Sequence, residues 1–187
     1  MKVLIACEFS GIVTKAFRER GHDAWSCDFL PCEGNTAWHI QDDVLLHLKE
    51  DWDMMIAHPP CTYLCRSGIR WLYSQPDRRE KKEAAADFFM TLWNSDIPKT
   101  CIENPIPYKR AMLAQYTQII HPWQFGHGET KATCLWLKGL PKLKPTHIVD
   151  GREHRIHTMS PSPDRGKNRS RTYPGIAQAM ADQWGKT

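Results

Sequence analysis

Three short motifs place reactive side chains directly after apolar stretches of the sequence. They are E-F-S-G at 8–11, P-P-C at 59–61 and E-N-P at 103–105. A thiol is a good nucleophile and leaves readily, and a carboxyl group can exchange a proton with a reacting base. Cys61 and Glu103 are therefore candidates for nucleophilic and acid–base chemistry, although each motif alone also fits a rigid turn, a structural thiol or a surface carboxylate.

Strands and helices alternate along the first half of the chain and must position these motifs. Apolar runs predict strands, and helical spacing with a proline in the first turn predicts helices. The expected strands cover 2–7, 23–28, 53–57 and 99–103, and the expected helices cover 13–20 and 76–93. This alternation predicts an α/β fold with a mostly parallel sheet and helices on both faces. The carboxyl ends of parallel strands lie at one edge, so the three motifs should meet there.

The second half has shorter elements and no sign of a second domain. Strands are expected over 117–121 and 132–137, and an amphipathic helix over 173–184. The length of 187 residues suits one domain, so we expect a single domain over 1–187. The segment 151–171 shows no periodicity and is expected to form a loop.

The same segment, 151–171, carries the whole net charge of the protein. Six of its side chains are basic and two are acidic, which equals the overall charge of +4, whereas the rest of the chain has 19 of each sign. A basic bias in one segment favours a partner that bears phosphates. A solvated loop is the equally open alternative.

Composition excludes several classes of protein. The chain is 41% hydrophobic and 25% charged, which is ordinary for a globular protein. The apolar run near the N-terminus is too short for a signal peptide, so we expect a cytoplasmic protein. The seven cysteines should be reduced there, and their spacing does not match a zinc site, so no metal is expected.

The order of these motifs resembles that of the DNA cytosine-C5 methyltransferases. The F-S-G turn, an acidic residue after the second strand, P-P-C and E-N-P follow one another as in that family, and the stretch 173–177 is similar to its final motif. The chain looks like the short members encoded by bacteriophages and prophages, without a large target-recognition domain. The resemblance implies a Rossmann-like, S-adenosylmethionine-dependent methyltransferase fold acting on DNA.

The resemblance also assigns residues to a cofactor site. The turn implied to hold S-adenosylmethionine contains Phe9, Ser10 and Gly11, and Asp28 is implied to bind the ribose hydroxyls. Asp43 and Pro59 are assigned to the same site. No metal is implied, since the methyl group comes from the cofactor.

Two residues are implied to act on the base. Cys61 would add to C6 of cytosine, and Glu103 would stabilise the charge that this addition places on the ring. We expect the loop to lower the pKa of Cys61 and apolar neighbours to raise the pKa of Glu103. His58 is either a base or thiolate partner for Cys61, or an ordinary polar turn residue.

Contacts to DNA, single- or double-stranded, would come from cations near the nucleophile and in the basic segment. The candidates are Arg66, Arg70, Arg165, Lys167, Arg169 and Arg171. We expect the basic segment to lie apart from the cofactor residues Phe9 and Asp28.

Two other functions stay open at this point. The chain could be a non-catalytic protein that retains the methyltransferase fold and binds nucleic acid or a protein partner. It could instead modify free pyrimidine nucleotides. The presence of both Cys61 and Glu103 favours an enzyme.

Overall fold

A seven-stranded sheet lies at the centre of the computed structural model, which describes residues 1–66, 76–108, 111 and 113–186. The strands are β1 Lys2–Ala6, β2 Asp23–Cys27, β3 His39–Ile40, β4 Met54–Ala57, β5 Lys99–Pro105, β6 Gln118–Ile120 and β7 Thr133–Lys138. Their order in the sheet is β3-β2-β1-β4-β5-β7-β6. The first five are parallel to one another, and β7 is antiparallel to both β5 and β6. The predicted mostly parallel α/β sheet is therefore confirmed.

Five α-helices belong to the described residues. They are α1 Ile12–Arg18, α2 Arg78–Trp93, α3 Arg155–Thr158, α4 Arg165–Ser170 and α5 Pro174–Trp184. The helices expected over 13–20, 76–93 and 173–184 are confirmed within a few residues. The expectation of a loop over 151–171 is wrong, because α3 and α4 both lie inside it.

Each face of the sheet is covered by different helices. Side chains of a strand alternate between the two faces, so Val3 and Ile5 of β1 pack with α1 and α5, whereas Leu4 packs with α2. The largest side chains of these clusters are fully buried, including Trp184 on the first face and Trp136 on the second. Burial on both faces explains why these strands are continuous apolar runs rather than alternating ones.

Helix α1 begins immediately after the sheet edge and is capped by a buried carboxylate. Glu8 accepts hydrogen bonds from the amides of Val13 (2.7 Å) and Thr14 (3.1 Å). The Thr14 hydroxyl also donates to Glu8, at 2.7 Å. These bonds satisfy amide groups that a helix N-terminus leaves without partners. Glu8 therefore holds the turn at 8–11 against the end of β1.

None of the helices formed by the described residues combines the length and the apolar character needed to cross a membrane.

Candidate functional site

The register of β4 and β5 brings two of the three motifs together. Ala57 pairs with Ile102, so the chain beyond β4 runs beside the last residues of β5. The buried Asn104 side chain donates from Nδ2 to the carbonyl of Pro59 at 3.1 Å. This bond ties P-P-C to E-N-P and places Cys61 and Glu103 at the same edge of the sheet.

Cys61 begins a tight turn. Its carbonyl accepts hydrogen bonds from the amides of Leu64 (3.1 Å) and Cys65 (3.0 Å). The hydrogen bond between the Cys61 and Cys65 thiols and burial both raise the pKa of Cys61, whereas the charge of Lys131 lowers it. The expected lowering of the Cys61 pKa is therefore wrong for the protein alone, because a neighbouring thiol and the loss of water outweigh the nearby cation.

Glu103 forms an ion pair with His58. The distance from His58 Nδ1 to Glu103 Oε2 is 3.3 Å, and both side chains are only 11% exposed. Burial alone would raise the pKa of Glu103, but His58, Lys131 and the Thr172 hydroxyl hold it below its ordinary value. The expectation of a raised pKa for Glu103 is wrong, because apolar neighbours in the sequence do not reveal the charged groups that other strands supply.

Three buried polar atoms at this edge have no hydrogen-bond partner among the described residues. They are His58 Nε2, Glu103 Oε2 and Asn104 Oδ1. Buried polar groups are nearly always hydrogen-bonded, and such exceptions often mark a place for a ligand or water. The edge therefore offers one ring nitrogen and two acceptor oxygens to a polar ligand.

Lys131 is a site residue that the motifs do not predict. It lies just before β7, which pairs with β5, and its charge acts on Cys61, His58 and Glu103. Its ammonium group donates to the carbonyl of Arg169 at 3.1 Å. Its sequence signal is weak, because T-K-A-T at 130–133 stands in a place similar to the Q-x-R-x-R motif of the resembled family without matching its residues.

Asp28 and Asp43, two of the predicted cofactor residues, lie near Cys7, which directly follows β1. Cys7 has a positive φ of 57°, a conformation that few residues other than glycine adopt and one that clusters at functional sites. Burial raises the pKa of Cys7, and the charges of Asp28 and Asp43 add to this rise. Phe29 follows Asp28 and is 70% exposed. Two carboxylates and an exposed ring fit an adenosine, whose hydroxyl and amino groups donate hydrogen bonds and whose base can stack.

Both carboxylates also have local partners. Asp28 Oδ1 accepts from the amide of Leu30 at 2.9 Å, and Asp43 Oδ1 accepts from the amide of Leu45 at 3.0 Å. Such bonds fix the orientation of each carboxylate. They are also compatible with a purely local role in the two turns.

The predicted glycine turn is packed against a neighbouring loop. The amide of Glu33 donates to the carbonyl of Phe9 at 2.8 Å. Gly11 has a φ of 68°, and a Cβ there would lie 3.3 Å from the Cα of Gly34. A cavity of about 460 Å³ adjoins this turn, and Ser10 and Gly11 line it together with residues of α1 and of the loop 32–38, whereas Asp28, Asp43 and Pro59 do not. Glycine suits both this backbone conformation and this close approach.

The basic segment reaches the glycine turn, which corrects the expectation that it lies apart from the cofactor residues. Arg171 holds Glu33 through two hydrogen bonds, of 2.9 Å and 2.8 Å, and Lys167 Nζ lies 2.9 Å from the same carboxylate. Both cations lie over the ring of Phe9, with Lys167 at 5.2 Å and Arg171 at 5.7 Å from its centre. The hydrogen bonds of Arg171 and Lys167 lower the pKa of Glu33 to about 2. Helix α4 is therefore docked on the turn 8–11.

The remaining predicted cations differ in their surroundings. Arg165 Nε donates to the carbonyl of Met159 at 2.8 Å, and Arg169 Nε is buried without a hydrogen-bond partner among the described residues. Arg66 is exposed, and its amide donates to the carbonyl of Ile106 at 3.1 Å. Arg70 lies outside the described residues.

No protein-family model matches the chain, and no curated protein matches its sequence. Solved structures do match. One is a prophage-encoded E. coli protein assigned as a DNA modification methyltransferase, with 15% identity and a TM-score of 0.50 over 79% of this chain and 51% of that one. A second is the Entamoeba histolytica methyltransferase EhMeth, with 12% identity and a TM-score of 0.49 over 79% of this chain and 57% of that one. A third is the S. pombe Dnmt2 methyltransferase, with 14% identity and a TM-score of 0.48 over 86% of this chain and 56% of that one. The chain thus spans about half the length of these proteins.

The strand order and the likeness to the prophage-encoded protein define the class of fold. The protein has the α/β Rossmann-like fold of the methyltransferases. The resemblance indicated by the sequence motifs is confirmed at the level of this fold.

Proposed function

We propose that the protein is a methyltransferase that transfers a methyl group from S-adenosylmethionine to C5 of cytosine in DNA. The observation that carries the proposal is the Asn104–Pro59 hydrogen bond, which joins the loop of Cys61 to the strand of Glu103. A nucleophile and a carboxylate are the two groups that this reaction requires from a protein. The unpartnered atoms beside them suit the polar edge of a base.

The cofactor would lie across the ends of β1 and β2. Asp28 and Asp43 would accept hydrogen bonds from the ribose and the adenine, and the turn of Ser10 and Gly11 would hold the amino-acid part. S-adenosylmethionine, when bound, supplies the electrophilic methyl group that C5 accepts. Pro59 would separate this region from the pyrimidine.

Cys61 makes C5 reactive by forming a covalent bond. After its proton passes to solvent, Cys61 Sγ bonds to C6, and a proton that Glu103 takes up passes to N3, so the ring becomes an enamine with a nucleophilic C5. Loss of the C5 proton to solvent later forms the C5–C6 double bond and expels Sγ, and N3 returns its proton to Glu103. In duplex DNA the cytosine would first be flipped out of the stack.

A 5-fluorocytosine substrate tests the nucleophile. Fluorine at C5 cannot leave as a proton, so the adduct should persist in the presence of cofactor and appear as a mass shift on the peptide that contains Cys61. Cys61→Ser should abolish the adduct, whereas Cys65→Ser is the matched control and should keep it. An adduct on Cys65, or methylation by the Cys61→Ser variant, would contradict the assignment.

A second substrate, the free pyrimidine nucleotide, is favoured by one observation. Lys167 and Arg171, two of the predicted phosphate contacts, are already paired with Glu33. Labelled S-adenosylmethionine should therefore be tested with duplex DNA, single strands, RNA and nucleotides. Label in 5-methylcytosine from DNA supports the DNA reaction, and label in free nucleotides alone supports the second substrate.

A further inference from the structure

His58 directly follows β4, and Glu103 lies beside it on the neighbouring parallel strand β5. Ala57 of β4 pairs with Ile102 of β5, so the residues that come next, His58 and Glu103, lie on the same side of the sheet. The backbone amide of His58 donates to the carbonyl of Ala6 at 2.9 Å, which holds this position against β1. The contact of 3.3 Å between the two side chains follows from the register itself.

The described residues leave part of the hydrogen-bonding capacity of this pair unused. Its 3.3 Å separation is an ion-pair distance without the alignment of a good hydrogen bond, and Glu103 Oε2 and His58 Nε2 have no hydrogen-bond partner among the described residues. A purely structural ion pair with so little exposure normally has its remaining lone pairs and protons satisfied. This pair keeps an acceptor and a donor available at the edge where Cys61 lies.

We infer that His58 is a positioning residue that keeps Glu103 ionised before substrate binds and stores the proton that Glu103 delivers to the base. This inference rests on the proposed function. When Cys61 Sγ bonds to C6, the N–H bond at His58 Nδ1 breaks, the proton passes through a Glu103 carboxylate oxygen, and a new N–H bond forms at N3. His58 becomes neutral, Glu103 returns to the carboxylate, and the reverse transfer restores the pair when the Cys61–C6 bond breaks.

The charges around the pair suit this role. Glu8 faces it from the end of β1, Lys131 from the segment before β7, and the buried Cys101 thiol from β5. Burial alone would lower the pKa of His58, but Glu103 and Glu8 raise it above its ordinary value. The negative charges of Glu8 and Glu103 balance the positive charges of Lys131 and protonated His58. One proton can therefore move from His58 to Glu103 without leaving a net charge buried.

The first measurement is a titration that does not depend on activity. Carbon-13 NMR of the Glu103 carboxyl group should show it ionised at neutral pH in the wild-type protein. In His58→Gln, which can donate a hydrogen bond but carries no charge, the midpoint should rise by about one pH unit or more, because the opposite charge is removed. His121→Gln is the matched control, since His121 also has a buried nitrogen, Nδ1, without a hydrogen-bond partner among the described residues. An unchanged midpoint in His58→Gln would overturn the inference.

The second measurement is the pH dependence of kcat/KM for methylation, which reports groups of the free enzyme. The wild-type rate should rise with pH as the Cys61 thiolate accumulates, and it should level off where the pair loses its shared proton. In His58→Gln this break should move to lower pH by about one unit or more, because the proton then depends on Glu103 alone. A break that does not move would overturn the role of His58 as proton store. Absence of methylation and of the 5-fluorocytosine adduct in wild type would instead refute the proposed function, and the NMR titration would still decide whether His58 ionises Glu103.

Discussion

At the scale of single residues, the side chain that controls the proposed nucleophile is a second cysteine. The hydrogen bond with Cys65 is the main cause of the raised pKa of Cys61. Cys65→Ala removes this partner, so the pKa of Cys61 should fall and its thiol should react faster near neutral pH. The measurement is the rate of alkylation of Cys61 by iodoacetamide across pH, followed by mass spectrometry of the peptide.

Cys32→Ala provides the control for this comparison. Cys32 is another thiol of intermediate exposure, but it lies beside Gly34 in the loop that covers the glycine turn. Its replacement should leave the alkylation profile of Cys61 unchanged. Coinciding profiles for the wild-type and Cys65→Ala proteins would show that burial alone controls the Cys61 thiol.

The sequence identifies the reactive residue types but not their protonation. Cys61 and Glu103 follow from the motifs, and the structure does bring their loops together. The pKa of Cys61 depends on Cys65, burial and Lys131, and the pKa of Glu103 depends on burial, His58 and Lys131. A pKa depends on burial and on charges within a few ångströms, and neither can be obtained from neighbours in the sequence.

At the scale of elements, the start of helix α5 depends on a glycine. A Cβ at Gly175 would lie 2.0 Å from the carbonyl oxygen of Phe125 and 3.0 Å from His127 Nε2, which accepts the Gly175 amide hydrogen bond. Gly175→Ala should therefore lower the free energy of unfolding by about 1–3 kcal/mol, since the backbone must move to admit the methyl group. Denaturant unfolding measures this change.

Gly166→Ala is the matched control in helix α4. A Cβ at Gly166 would have no atom within 4 Å, so alanine should be neutral or stabilising by up to about 1 kcal/mol through its higher helix propensity. Equal stabilities of the two variants would contradict the close packing at Gly175. The comparison separates a steric effect from the general effect of replacing glycine in a helix.

Element prediction succeeds where periodicity is strong and fails where it is weak. The parallel strands β1 and β4 are buried apolar runs, and the sequence indicates both of them. It also indicates β5, which carries the E-N-P motif at its end. Helices α3 and α4 have four and six residues, and α4 contains a glycine and has no buried residue. Helices this short are marginal by themselves and depend on tertiary contacts, such as the ion pairs of Arg171, that no local pattern shows.

At the scale of the whole molecule, two cations of the basic segment already form ion pairs with a carboxylate of the protein. Lys167 and Arg171 hold Glu33 and cover Phe9, while Arg169 accepts a hydrogen bond from Lys131 through its carbonyl. Helix α4 therefore links the proposed cofactor turn to the proposed catalytic edge. Nucleic-acid phosphates that engage these cations would compete with Glu33, so binding of DNA and the conformation of the cofactor turn should be coupled.

This competition predicts opposite effects of two variants on nucleic-acid binding. Glu33→Gln removes the internal anion, so affinity should rise and depend more steeply on salt. Lys167→Ala/Arg171→Ala removes the cations, so affinity should fall, and the slope of log K against log salt should decrease by roughly 0.7–0.9 for each phosphate that the variant no longer neutralises. The effect should be nearly independent of base sequence, because phosphate contacts carry no sequence information.

Salt titrations of binding to one duplex and one single strand measure both slopes, with a variant of an exposed lysine, Lys144→Ala, as control. If the double variant and the wild-type protein give the same slope, the basic segment does not hold phosphates, and its positive charge serves only to dock α4 on Glu33.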